Sequence, residues 1–491
     1  MPSSGGKEGL LENGYWDDIK TDIQPAPWSP ARTSKWSVDF ARPSFWKTSP
    51  RKQSLRKTAY LDGLRGFAAL LVYWQHHHLW ARDSEPNFGD KLLETGWGYD
   101  NRWYFICLPV VRTFFTGGHF AVTVFFVISG YVLSLKPLSL IYAGEHLKLG
   151  DNLASALFRR WPRLHIPVIV TTFLYMTSWH LFGLWTEPEV HQETWGAELW
   201  LWYTELKNFT FVFRSGGEPM FRYNFHVWSI PVEFRGSLII YTALLAFSRL
   251  TKNARLCGHL FLMYYFMYIA DGYFGSLFMS GLLLADLDML AEHDDLPSFL
   301  YKLEPYKSYI YNALFVISIF LGGVPSHTDK IEDLRATPGW YYLSFLKPQA
   351  VYDYKWFYLF WAATFLVVSI PRIGWLKSFF ETRFCQYLGR ISYSLYLVHG
   401  PVLWILGNRI YSAVGWARET HAIGIPGWIN AFPLSKAGPL GFELAFWLPH
   451  LILLPVTLWV AEIATNAIDE PSVKVSSWLY KKVLAPAGPV K

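Results

Sequence analysis

Charged residues are scarce in this 491-residue chain, at 17%, where a soluble protein of similar length carries about a quarter. That scarcity excludes an ordinary water-surrounded globule. Cysteine is nearly missing as well. Cys107, Cys257 and Cys385 are too far apart for a CxxC pair, which excludes a zinc ribbon or a disulfide framework. The first 58 residues lack any apolar run, so no cleavable signal peptide is expected. Their Pro, Ser, Lys and Arg content reads instead as a disordered cytosolic tail, residues 1–58. No internal repeat of the kind that builds many transporters is visible. The net charge of +6 is modest and shows no nucleic-acid pattern.

What is abundant is apolar and aromatic. Hydrophobic residues reach 52%, aromatic residues 19%, and there are 25 Trp. Trp and Tyr collect where bilayers meet water. A helix needs roughly 20 mostly apolar residues to cross the hydrocarbon core. On that criterion about ten spans are expected, near 60–80, 118–136, 163–184, 226–248, 256–270, 272–287, 308–324, 355–371, 391–408 and 442–466. The fifth and sixth are short, and a single broken element is the other reading. The fold class expected is thus an all-α integral membrane protein, a bundle of about ten transmembrane helices with both termini cytosolic.

Charge supports that orientation, because cytoplasmic flanks gather Lys and Arg. Five basic clusters fall on one side of a ten-span arrangement. They are Arg51, Lys52, Arg56 and Lys57; Arg159, Arg160 and Arg163; Arg249, Lys252 and Arg255; Arg372, Lys377, Arg383 and Arg390; and Lys474, Lys481 and Lys482. The acidic stretch 286–304, with Asp286, Asp288, Glu292, Asp294 and Asp295, falls on that side too. The loops 81–117, 185–225, 325–354 and 409–441 then face outward, and their Trp, Pro and Gly suggest ordered lids or interfacial segments.

Ionisable groups inside a span are costly and mark function by default. In the first span Arg65 and His76 are 11 residues apart. At ~100° per residue they share one face within ~20°, about 16 Å apart along the axis. Gly63 and Gly66 admit a close neighbouring helix. A buried neutral imidazole suits a general base. Consecutive His76, His77 and His78 splay around the helix and cannot converge on one ion, so no metal is expected. Ser129-Gly130 lacks the preceding Gly of a nucleophile elbow, the position being Val127, so Ser129 reads as a hydrogen-bonding residue.

Arg160 and Arg163, spaced i, i+3 around Pro162, can present two guanidinium forks to phosphate or simply anchor the cytosolic face. In the fourth span His226 and Glu233 are seven residues apart, near one face. Glu233 is placed either to orient His76 or to neutralise an arginine. His399, with Tyr393 and Tyr396 nearby, reads equally as a structural or a substrate-facing group.

Together these segments resemble the acyltransferase-3 family of integral membrane acyltransferases. The resemblance rests on Leu64-Arg65-Gly66 leading to His76, on Phe125 to Gly130, and on Arg160-Trp161-Pro162-Arg163. It rests further on Trp228 to Glu233, Ile391 to His399, and Glu470-Pro471, all in order. It implies a membrane domain over 59–472 and a C-terminal cytosolic tail over 473–491. It implies catalysis by His76 supported by Arg65, and acyl-CoA phosphates held by Arg160 and Arg163. Glu233, His399, Ser129 and Tyr396 would then be supporting residues. The partners implied are acyl-CoA, acetyl-CoA in particular, a hydroxyl-bearing small molecule or glycan, and membrane lipids. An acyl-histidine intermediate is the mechanistic alternative, and a proton-coupled transporter or flippase the functional one. The stand-alone domain looks like the eukaryotic, fungal branch that decorates secondary metabolites or surface glycans, at an endomembrane or the plasma membrane.

Overall fold

The computed structural model describes residues 55–82, 95–98, 103–184, 186, 191–213, 219–416, 425–437 and 442–484. Most of the expected N-terminal tail lies outside them. The described residues form helices and turns without strands. A helix satisfies its own backbone hydrogen bonds, which is what long apolar runs need where water is excluded.

Helices occupy the ten stretches expected from the sequence. They are Ala59–Arg82 (α1), Gly118–Tyr142 (α2), His146–Phe182 (α3), Ser229–Phe247 (α4), Lys252–Tyr264 (α5), Tyr273–Glu292 (α6), Lys307–Gly322 (α7), Lys355–Ser369 (α8), Arg383–Val402 (α9) and His450–Ala464 (α10). Three of them run on through π-helical turns: α5 through Tyr265–Ile269, α9 through Leu403–Gly407, and α10 through Thr465–Asp469. After the last turn the helix continues as Glu470–Val483, so the expected C-terminal tail is helical up to that point.

Among the described residues, four helices are long and apolar enough to cross a membrane: Gly118–Tyr142, Phe225–Phe247, Tyr273–Glu292 and Leu444–Val483. The pair Lys355–Arg372 and Gly374–Phe380, bent by 99°, makes a fifth if taken as one span. The expected count of about ten is not reached on this criterion: α5, α7 and α8 are 13, 16 and 15 residues long, and α1 and α3 carry guanidinium and imidazole groups that lower their mean hydropathy.

Ion pairs at one end of the bundle explain the acidic stretch. Asp286 is buried and binds Arg255 through both oxygens, at 2.8 and 2.9 Å. Asp295 binds Lys252 at 2.6 Å, while Glu292 and Asp288 pair with Lys57 and Arg372. Carboxylates from 286–295 therefore meet cations from before α1, after α4 and after α8. Lys252 and Asp295 bracket α5 and α6 yet touch, so that segment returns the chain to the end it left. A single broken span would not. The break itself falls at Ala270, Asp271 and Gly272.

The expected outer loops are ordered where described. They hold the helices Trp195–Phe209, Ile331–Ala336 and Tyr341–Ser344. Trp200 and Tyr203 of the first are exposed. Cys107 and Cys385 are buried and Cys257 is exposed. Burial pushes the Cys107 thiol up to about 11, which keeps it protonated and inert.

Candidate functional site

The site is built on α1 and α9, whose backbones nearly touch. A Cβ on Gly66 would stand 2.2 Å from the Gly389 nitrogen, and one on Gly389 would stand 2.4 Å from the Asp62 carbonyl oxygen. Only glycine fits at such a crossing. Ten residues further along each helix, His76 Nδ1 lies 2.8 Å from His399 Nε2. Their ring centroids are 5.0 Å apart and their planes differ by 8°, so the two imidazoles lie side by side in one plane.

His226 comes from elsewhere. The chain forms a 3-10 turn, Phe225–Trp228, before α4 begins at Ser229. That turn brings His226 to α9. It is docked onto α9 by two bonds. Pro401 has no N–H to offer the Leu397 carbonyl four residues earlier, and the Asn224 side-chain amide donates there instead, at 2.9 Å. The Tyr396 hydroxyl donates to the His226 carbonyl and sits 2.7 Å from the Ser229 hydroxyl. His226 consequently stacks over His76 at 3.7 Å and over His399 at 4.7 Å, with Trp404 on it at 5.1 Å. His226 and His399 are buried, whereas His76 is partly exposed.

One nitrogen from each of these three histidines lies within 4.8 Å of the others, a spacing that could hold a metal ion. The ring planes fit one poorly. Imidazole lone pairs lie in the ring plane, and rings stacked 3.7 Å apart and 16° from parallel do not converge on one point.

A cavity of about 90 Å³ lies among α1, α2, α3, α4 and α9. It is lined by six residues expected from the sequence: Arg65, Ser129, Arg160, Arg163, Glu233 and Tyr396. Within it Arg160 is buried and bound to Glu233 at 2.7 Å and to the Ser237 hydroxyl at 2.9 Å. Ser129 donates to the same Glu233 oxygen at 2.8 Å. Glu233 thus bonds an arginine, one of the two placements the sequence left open. Arg65 donates to the Gly389 carbonyl at 3.0 Å and lies 3.5 Å from Asp62.

His76 and His399 do not line this cavity. They occupy the layer above it, with Tyr396 belonging to both. Asp469 lines the cavity and escaped the sequence reading. It stands in a π-helical turn, a feature without a periodicity of its own, although a carboxylate ending an apolar span is itself a signal.

His77 and His78 are engaged elsewhere. His77 Nδ1 meets the Tyr411 hydroxyl at 2.9 Å, and His450 joins that hydroxyl at 3.2 Å and Tyr73 at 2.9 Å. His78 Nδ1 accepts from Arg82 at 2.7 Å, and Arg82 pairs with buried Glu443 at 2.6 Å. A second polar layer therefore closes the bundle beyond the first.

The family model described as an acyltransferase domain matches residues 58–464. Among curated proteins, an O-acetyltransferase, PaAT-1, of Phomopsis amygdali is 29% identical over 93% of this chain and 91% of its own length. Acyltransferase R4 of a Phoma species is 23% identical over 89% of this chain and 98% of its own. Acyltransferase clz18 of Cochliobolus lunatus is 22% identical, covering 88% and 97%. No solved structure matches.

Proposed function

Because the chain belongs to the acyltransferase-3 family and is an O-acyltransferase, we propose that it moves an acyl group from acyl-CoA to a hydroxyl, with His76 as general base. Acetyl is the acyl group in this reading. The name of the Phomopsis relative supports it. The acceptor is a hydroxyl-bearing small molecule or glycan.

The observation that carries the reading is the state of His76. Of the three stacked histidines it alone is not buried, and Arg65 on the same face of α1 lines the cavity one layer below. Acyl-CoA enters past Arg160 and Arg163, whose guanidinium groups hold its phosphates. Arg160 keeps donors for this, since only its Nε and one Nη are spent on Ser237 and Glu233. The acceptor hydroxyl gives its proton to His76 while its oxygen attacks the thioester carbonyl carbon. The C–S bond breaks, CoA leaves as thiolate, and the His76 imidazolium returns the proton to sulfur. Positioning does much of the rest.

The protein works as a multi-pass membrane enzyme of about ten spans with both termini cytosolic. The ion pairs that gather residues 57, 252, 286–295 and 372 at one end agree with the positive-inside clusters. The test is transfer from labelled acetyl-CoA to a metabolite extract of a deletion strain, with the enzyme in nanodiscs. His76→Ala is expected to abolish the labelled product while inserting normally, and full turnover by that variant removes His76 from the chemistry. Arg160→Ala with Arg163→Ala is expected to raise the acetyl-CoA KM. An unchanged KM returns both residues to topology signals.

A further inference from the structure

We infer that His399 is a positioning residue that fixes His76 in its Nδ1–H tautomer and leaves His76 Nε2 as the base. This rests on the reading of His76 as general base and goes beyond it, by naming the proton-accepting atom and what selects it.

The assignment follows from donor and acceptor roles. His399 Nδ1 lies 3.2 Å from the Leu395 carbonyl oxygen, one helical turn back. A carbonyl only accepts, so His399 carries its proton on Nδ1. A neutral imidazole then has a bare lone pair on Nε2. That lone pair faces His76 Nδ1 at 2.8 Å. Two bare nitrogens would repel, so His76 Nδ1 holds the proton and donates it. His76 is left with its lone pair on Nε2. The geometry agrees: coplanar rings 8° apart with centroids at 5.0 Å are what an in-plane N–H···N bond produces.

His226 is a different kind of neighbour. It lies face-on to both rings and offers no in-plane bond to either, so it supports the pair without choosing the tautomer. When Nε2 takes the acceptor's proton, His76 becomes an imidazolium. Its Nδ1–H bond to His399 is then charge-assisted and stronger. His226 presents its aromatic face to that cation, and Trp404 stacks on His226 in turn. The arrangement gains strength as the proton transfers, which is what raises turnover instead of ground-state binding.

The experiment uses the full chain in nanodiscs, with labelled acetyl-CoA and the same deletion-strain extract. His399→Leu removes the acceptor and is expected to lower kcat by about 10²-fold or more, since a wrong tautomer costs up to about 10⁴ where a carboxylate does this work. The acetyl-CoA KM should stay within roughly threefold. His399→Gln places a carbonyl oxygen near the lost Nε2 and should restore kcat to within about tenfold of the parent. Independently, ¹⁵N-histidine NMR of the parent, with His76 assigned by difference against His76→Ala, should show a protonated Nδ1 and a bare Nε2. A His76 protonated on Nε2, or a His399→Leu enzyme with parental kcat while His76→Ala is dead, overturns this inference and leaves the base reading standing. Turnover by His76→Ala sinks both. The NMR arm decides the matter even if His399→Leu fails to fold.

Discussion

Gly66 and Gly389 meet where α1 crosses α9, so closely that a methyl group on Gly66 would stand 2.2 Å from the other's backbone nitrogen. The contact fixes the register of two helices that start from the same end of the bundle. Their next shared landmark, ten residues on, is the hydrogen bond between His76 and His399. A crossing of two glycines thereby sets the alignment of two imidazoles about 15 Å away along the helix axes.

That coupling makes Gly389 a test of the site at a distance. Gly389→Ala drives a methyl group to 2.4 Å from the Asp62 carbonyl, and a backbone atom cannot swing aside. The expected outcome is a loss of about 1–3 kcal/mol of stability, typical of overpacking, and a drop in kcat as the imidazoles part. Gly150→Ala in α3 is the control, because nothing lies within 4 Å of its added methyl group. A Gly389→Ala enzyme with parental thermal midpoint and kcat would show that α1 and α9 slide without consequence.

Much of this was legible in the chain, and the part that was not has a physical cause. Apolar runs marked where helices stand, and the 11-residue spacing of Arg65 and His76 pointed to one face of α1, because both follow from local periodicity. The cavity residues Ser129, Arg160, Arg163 and Glu233 stood out as polar groups within or at the entry of apolar spans. The pairing of His76 with His399 is a contact across 323 residues, which no window of sequence contains. His226 was noticed, but its ring neighbours lie on other helices and were not readable locally. It sits in the 3-10 turn Phe225–Trp228, and Asn224 seats that turn on the carbonyl that Pro401 leaves without its usual donor. The acidic stretch looked out of place only because its cations, Lys57, Arg255 and Arg372, are distant in sequence.

Buried Arg160 and partly exposed Glu233 form a unit, and losing both should cost less than the sum of the two single losses. Arg160→Met leaves the Glu233 carboxylate with Ser129 alone, and Glu233→Gln leaves the Arg160 cation with weaker acceptors. Each single change is expected to cost about 3 kcal/mol, since an uncompensated buried charge is the penalty. The double variant should recover about 1–3 kcal/mol of the summed loss. Thermal unfolding of the four proteins in one lipid composition measures the coupling. Strictly additive losses would mean that the pair is not a unit.

Sidedness gives a prediction independent of catalysis. Lys57 and Glu292 touch, so an even number of crossings separates them, and α1 to α6 supply six in the proposed arrangement. The pair is exposed and contributes little to stability, so cysteine is tolerated at either position. Cys257 is exposed and must be replaced first, whereas Cys107 and Cys385 are buried and stay silent. In sealed vesicles a membrane-impermeant maleimide should label Lys57→Cys and Glu292→Cys from the same side, and that side should be cytosolic. A tag at Trp200→Cys, on the helix Trp195–Phe209, should label only from the other side. Labelling of Lys57→Cys and Glu292→Cys from opposite sides would break the six-crossing path, and labelling of Trp200→Cys from the cytosol would invert the placement of the outer loops.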